Sequence, residues 1–228
     1  MKKIAFLFLV ILLRGVLFAQ SLSHVILAGG SNLTAFYFNT DQQVIIKITP
    51  DGRVQEWGTL ITPERLGYYQ GKLDPYIGRV DYYTTDADAA INGKVKSIGT
   101  FTITYYGSGY PIAQKGKIKS IGSQVFDYYP DYDNDSYKGK LKTAGAVAFN
   151  YYASFDNENF RGKLKSVSNT TITYYAAFED KLNKGKLKSI GGFSYNWYNE
   201  FDRKEYQGAI KTGATVQKVN GIIYAIWY

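Results

Sequence analysis

Hydrophobic and polar positions recur along this chain with a period of 23 residues. Gly-Lys falls at 93, 116, 139, 162 and 185, Gly208-Ala209 continues the series, and Gly71-Lys72 opens an earlier copy one residue short. Tyr-Tyr keeps step at 82, 105, 128, 151 and 174, and Trp197-Tyr198 completes it. The shared core reads GKVKSIG, GKIKSIG, GKLKTAG, GKLKSVS and GKLKSIG in successive copies. Repetition at this period implies a supersecondary unit that buries its apolar surface by stacking on its neighbours.

Each unit predicts two strands, Lys94–Ile98 and Phe101–Tyr106 in the first clear copy. Gly99-Thr100 lies between them, with Gly122-Ser123, Gly145-Ala146 and Gly191-Gly192 as counterparts. A two-residue loop with Gly first is the type II′ hairpin signal. Ser168-Asn169 departs from it and points to a different turn. If Ile98 faces Phe101 and Tyr110 faces Ala113, the register returns after 24 residues, whereas the repeat is 23. One residue per unit must then enter a bulge or an odd-length loop, or every later unit would flip its faces. The glycines at 93, 116, 139 and 162 are the bulge candidates.

In that register one face carries Lys94 with Tyr105, Lys96 with Ile103 and Ile98 with Phe101. The other carries Val95 with Thr104, Ser97 with Thr102, and Tyr106 beside Gly93. Neither face is cleanly apolar, a pattern that fits a sheet half-wet on both sides, with Lys stems and Tyr rings covering the backbone. The predicted fold is all-β: an antiparallel meander of 23-residue hairpins in an open, twisted single-layer or solenoid-like sheet, with a closed β-barrel as the alternative.

The flanks differ. Residues 1–19 have the form of a signal peptide, with Lys2 and Lys3 before the apolar run Ile4–Leu13, and cleavage expected after Ala19. That run is too short to span a bilayer. Residues 20–70 predict an N-terminal cap of degenerate hairpins, residues 71–220 the tandem repeats, and residues 221–228 a C-terminal capping strand.

Composition narrows the chemistry. The 228 residues include no Cys and one His, His24, which removes disulfides, thiol chemistry and multi-His metal sites. Loss of the leader, with Lys2, Lys3 and Arg14, leaves 24 basic and 19 acidic residues. That mild excess is not the footprint of a nucleic-acid binder, and export separates the chain from intracellular nucleic acid. No phosphate-binding loop or nucleophile elbow is present, so no catalytic residue, cofactor or metal is assigned.

Two lysine columns are the candidate polyanion-binding residues. Lys94, Lys117, Lys140, Lys163 and Lys186 form one; Lys96, Lys119, Lys142, Lys165 and Lys188 form the other, which Lys211 extends. Equivalent lysines two strands apart, about 10 Å, repel in water by only ~0.4 kcal/mol before screening, so a plain solvated face is tolerable without a ligand. The competing reading is an acidic polysaccharide, lipopolysaccharide or envelope protein that binds the columns. Asp131, Asp133 and Asp135 alternate like the start of a calcium loop. Ser136 replaces its Gly and Lys142 its terminal Glu, so an acidic hairpin loop is expected.

Tyr69-x-Gly71, Tyr137-x-Gly139, Phe160-x-Gly162 and Tyr206-x-Gly208, spaced on the 23-residue period, resemble the MORN repeat, with Leu141 and Leu164 where that family has Trp. The resemblance implies a hairpin sheet and a scaffold or membrane-associated role. The Tyr- and Lys-rich sheet is also similar to the central sheet of spirochaetal outer-surface lipoproteins, without their lipobox Cys. The functional expectation is an exported, non-enzymatic structural or binding module of the periplasm, cell surface or exterior. An outer-membrane β-barrel and, behind it, a secreted carbohydrate-active enzyme are the alternatives.

Overall fold

The computed structural model describes residues 21–40, 43–60 and 72–227. The leader at 1–19, the Tyr69-x-Gly71 copy and Tyr228 lie outside these residues. Among the described residues every regular element is a strand. The first five are β1 (Ser21–Ala28), β2 (Asn32–Asn39), β3 (Ile45–Ile48), β4 (Val54–Leu60) and β5 (Leu73–Pro75). The repeats supply β6 (Val80–Tyr82), β7 (Val95–Ile98), β8 (Phe101–Tyr105), β9 (Ile118–Ile121), β10 (Gln124–Tyr128), β11 (Leu141–Ala144) and β12 (Val147–Tyr151). They continue as β13 (Leu164–Val167), β14 (Thr170–Tyr174), β15 (Leu187–Ile190), β16 (Phe193–Ser194), β17 (Asn196–Trp197) and β18 (Ile210–Thr212). The chain ends on β19 (Val216–Val219) and β20 (Ile222–Trp227).

Strands β6 to β16 form an open, eleven-stranded meander in chain order, and β17 pairs with β18 beyond it. This is the expected hairpin array. Ile98 faces Phe101 and Ser97 faces Thr102, as the turn predicts. Gly99, Gly122, Gly145 and Gly191 take φ between +53° and +57° at the first turn position. Ser168 adopts φ +47° there, so its hairpin shares the backbone habit of the glycine turns rather than using a different one.

Two irregularities per unit govern the faces. Thr104 pairs with Ser120 but Tyr105 with Ile118, so Lys119 is an extra residue on its strand. Lys96, Lys142, Lys165, Lys188 and Lys211 occupy the same bulge. The second bulge involves the glycine: Gly116 donates its N–H to Tyr106, and Tyr106 donates its own to the carbonyl of Lys117. Two residues thus face one, and the φ of +73° at Gly116 is a left-handed value that glycine adopts without a Cβ penalty. The same pair of bonds recurs from Gly93 to Gly208. Tyr106 therefore faces Gly116 across the longer connection rather than Gly93.

The lysine bulge corrects the expected faces. In a regular strand, residues three apart point to opposite sides. With the extra lysine between them, Val95 and Ile98 both point inward, as do Ile118 and Ile121, Leu141 and Ala144, Leu164 and Val167, and Leu187 and Ile190. Lys96, Ser97, Thr102 and Thr104 turn outward. One side is dry and the other polar, where alternation alone suggested two mixed sides.

The dry side is covered by a second layer. The segments expected as caps, 20–70 and 221–228, supply most of a seven-stranded sheet in the order β19-β20-β1-β2-β3-β4-β5. All its pairings are antiparallel except β1 with β20, which run parallel. Its inward residues, among them Val25, Leu27, Phe36, Phe38, Ile46 and Ile48, share one core with the repeat side chains. Phe36 packs on Phe149 with centroids 4.6 Å apart, and Phe38 on Phe126 at 5.0 Å. The closed barrel is not formed: a covering sheet buries the apolar face, so the meander has no need to curl shut.

Turn tips of the covering sheet lock it in place. Gly52 and Pro50 accept the N–H groups of Ile118 and Leu141 at 3.1 and 2.8 Å, and Gly30 accepts that of Leu187 at 2.7 Å. These N–H groups adjoin the lysine bulges, where the ladder is broken and a partner is needed. The tips come close enough that a Cβ on Gly52 would lie 2.0 Å from the Tyr128 hydroxyl. Gly52→Ala is therefore expected to cost about 2 kcal/mol or more through strain and clash. Ser168→Gly should stabilise by about 1 kcal/mol by removing a side chain from a left-handed position. Urea unfolding of the two variants checks both signs.

Candidate polyanion-binding surface

The structure separates the two lysine columns. Lys94, Lys117, Lys140, Lys163 and Lys186 sit half-buried beside the glycine bulge. Each ammonium lies over an aromatic ring of the next strand, from 4.6 Å for Lys186 on Trp197 to 5.5 Å for Lys94 on Tyr105. Lys117, Lys140 and Lys186 donate to the carbonyls of Gly139, Gly162 and Gly208, one unit on. Lys163 donates to Ser31 O at 3.0 Å in the covering sheet. Burial pushes Lys117, Lys140, Lys163 and Lys186 below the usual lysine pKa. Lys117, Lys140 and Lys186 thus fasten unit to unit, and Lys163 fastens the repeats to the covering sheet.

The other column faces water. Lys96, Lys119, Lys142 and Lys165 are exposed on the polar side, and their ammoniums lie 5.2 to 5.9 Å from the rings of Tyr83, Tyr106, Tyr129 and Tyr152. Lys188 pairs with Glu179, and Lys211 with Asp202 at 2.8 Å. Between the lysines runs a polar row, with Thr104 bonded to Ser120 at 2.6 Å, Asn150 to Ser166 at 2.9 Å and Thr173 to Ser189 at 2.6 Å. The bulge that turns Val95 and its counterparts inward is the one that projects these lysines outward.

The tyrosines also divide by role. In the first column Tyr105, Tyr128 and Tyr174 point inward and donate to the carbonyls of Val95, Ile118 and Leu164, and Trp197 donates its indole N–H to Leu187. In the second, Tyr83, Tyr106, Tyr129, Tyr152 and Tyr175 donate to a carbonyl 20 residues ahead, at 2.8 to 3.0 Å. Each is a staple into the next unit.

The loop acids are likewise engaged. Asp156, Glu179 and Asp202 accept the N–H of Ala153, Ala176 and Asn199, closing their own turns. In the calcium-like segment Asp131 accepts from Ala113, Asp133 from Asn134, and Asp135 pairs with Lys138, so the carboxylates serve different partners. Among the described residues no group of three or more His, Asp or Glu could hold a metal. His24 lies within β1, bonded to Ser23 Oγ at 2.9 Å, and burial lowers its imidazole pKa. The loops also present Tyr132, Phe155, Phe178 and Phe201, one per unit at the 23-residue spacing, at 85–92% exposure.

No protein-family model, curated protein or solved structure matches the chain. What the surface can do follows from its own chemistry: a row of exposed cations flanked by hydroxyls and ring faces, on a rigid support.

The buried hydroxyls make the fold alkali-sensitive. Desolvation raises the phenol of Tyr224 to about 12 and pushes those of Tyr105, Tyr128 and Tyr174 well above the usual tyrosine value. A folded-state pKa above the unfolded value of about 10 contributes stability in full below pH 10, which is lost as pH rises through the folded values. Denaturation midpoints should therefore fall steeply above about pH 10, with the tyrosinate absorbance of the buried phenols appearing together with unfolding. Tyr106→Phe should cost about 1 kcal/mol at neutral pH, since it removes one staple and strands the Phe126 carbonyl.

Proposed function

We propose that this chain is an exported, non-enzymatic β-repeat module of the bacterial envelope or exterior, whose outer lysine column takes an anionic polymer. The observation that carries this reading is the exposed row Lys96, Lys119, Lys142 and Lys165, repeated on every second strand of one sheet. Alternate strands lie about 10 Å apart, so an extended acidic polysaccharide crossing the strands meets a cation at regular intervals. Each contact is weak in water, and affinity comes from several engaged at once. The neighbouring hydroxyls and tyrosine rings suit the sugar rings of such a polymer. In the inner column Lys117, Lys140, Lys163 and Lys186 each donate to a backbone carbonyl, and the exposed outer column is the one that faces a polymer.

The leader supports the compartment, and the composition suits it: a Cys-free chain needs no oxidative folding, and its stability rests on pairing and packing. Lipopolysaccharide phosphate offers the same charge in another carrier.

Polygalacturonate serves as the probe. Retention of the purified protein should fall with salt, and Lys119→Gln, Lys142→Gln and Lys165→Gln together should weaken it about tenfold or more with unfolding unchanged. Retention that ignores both salt and the triple substitution would overturn the reading.

A further inference from the structure

The fold does not account for the exposed rings Tyr132, Phe155, Phe178 and Phe201. Each is the third residue of a turn, and the residue after it, Asp133, Asp156, Glu179 or Asp202, donates its N–H to the carbonyl three positions back at 3.1 to 3.2 Å. In the two preceding units the same bond runs from Ala87 to Thr84 and from Tyr110 to Gly107, at 3.0 and 3.2 Å, around Asp86 and Gly109. The turn therefore closes with a carboxylate at the third position, or with no side chain at all. An apolar ring placed there stays in water and gains no burial. Four such rings in succession make an exposed apolar row, and a row of this kind marks a contact surface.

The rings are held at set intervals. In the turns of Phe155, Phe178 and Phe201 the acid side chain also bonds back to the first N–H, so each turn is closed twice. Neighbouring loops are tied together as well. Asn134 donates to Ser154 Oγ at 2.9 Å and accepts the Ser154 N–H at 3.0 Å, and Asn183 donates to the Tyr198 carbonyl at 3.1 Å. Successive tips are two strands apart, about 10 Å, which is the length of two β-1,4-linked sugar rings in an extended chain. In such a chain every second ring turns the same face to one side. At this interval the aromatic rings do not cover one another, and each keeps a face free for a partner.

Charge selects among partners. Asp133, Asp156, Glu179 and Asp202 directly follow the rings, while Lys181, Arg203 and Lys204 stand further along the last two loops. Lys188 and Lys211 pair with Glu179 and Asp202. No single sign runs along the tips, so they offer a polyanion or an anionic bilayer no continuous attraction. An uncharged sugar chain presents apolar C–H faces to the rings and hydroxyls to the polar groups between them. We propose that this row binds an uncharged β-1,4-linked polysaccharide, with every second sugar ring stacked on Tyr132, Phe155, Phe178 or Phe201. Its contacts need no charge, so it does not rest on the acidic-polymer reading of the outer lysine column.

The test is native-gel retardation of the purified protein by hydroxyethylcellulose, with calorimetric titration of cello-oligosaccharides. Retardation is expected that added salt does not weaken. Cellohexaose, long enough to reach several rings of the row, should bind about tenfold or more tightly than cellobiose, which reaches one. Phe155→Ala, Phe178→Ala and Phe201→Ala together should weaken polymer binding about tenfold or more. The urea midpoint should stay unchanged, since the turn at Gly109 closes without a ring. Gly109→Phe adds a ring where a Cβ meets open space, and should strengthen polymer binding about threefold. The triple outer-column substitution should leave this binding as it is. Absence of retardation, or a triple Phe→Ala variant retarded as the parent is, would overturn the site. So would co-sedimentation with phosphatidylglycerol vesicles that the triple Phe→Ala variant loses, in the absence of polymer binding, since it would assign the row to a lipid surface.

Discussion

A strand of four residues that must bury both its first and its last side chain cannot be regular. This constraint, met by one extra lysine per unit, underlies the rest of the molecule. The lysine bulge collects Ile118 with Ile121, and their counterparts, on one side, and so makes a dry face. It leaves backbone N–H groups that the tips of the covering sheet satisfy. It also projects the lysines that form the outer column. The core, the docking of the two layers and the charged surface thus trace back to one local irregularity, repeated at a fixed interval.

The second device is the use of long polar side chains as backbone partners. Tyr106 and its equivalents reach a carbonyl 20 residues ahead, and Lys117, Lys140 and Lys186 one 22 residues ahead. Each such bond is worth about 1 kcal/mol net, more where the donor is charged. A column of them joins every unit to the next without disulfides.

Much of the array was legible because it depends on short-range chemistry. The hairpins follow from Gly-first turns, and the need for a bulge follows from comparing a return of 24 residues with a repeat of 23. The lysine bulge was harder, because strict alternation assigns Lys96 and Ile98 to one side. A four-residue stretch apolar at both ends, as in VKSI or LKSI, is the signal that could have revealed it. The second layer was out of reach, since nothing local in residues 20–70 says which sheet they will cover. The run VILA at 25–28, apolar at successive positions, is the signal that could have marked β1 as a strand buried on both sides. The split of lysines into fasteners and contacts depends on which of them meets a carbonyl, and only tertiary geometry decides that.

The parallel pairing of β1 with β20 has a consequence for the order of assembly. The repeats are stitched by contacts about 10 to 22 residues apart, and such local closures form early and quickly. Strand β1 reaches its central place in the covering sheet only when the last strand arrives, some two hundred residues later in the chain. Until β20 is in place the first described strand has β2 on one flank and an open edge on the other. An open hydrophobic edge of this kind invites pairing with other chains. Strand β1 therefore stays open to misassembly until β20 pairs with it.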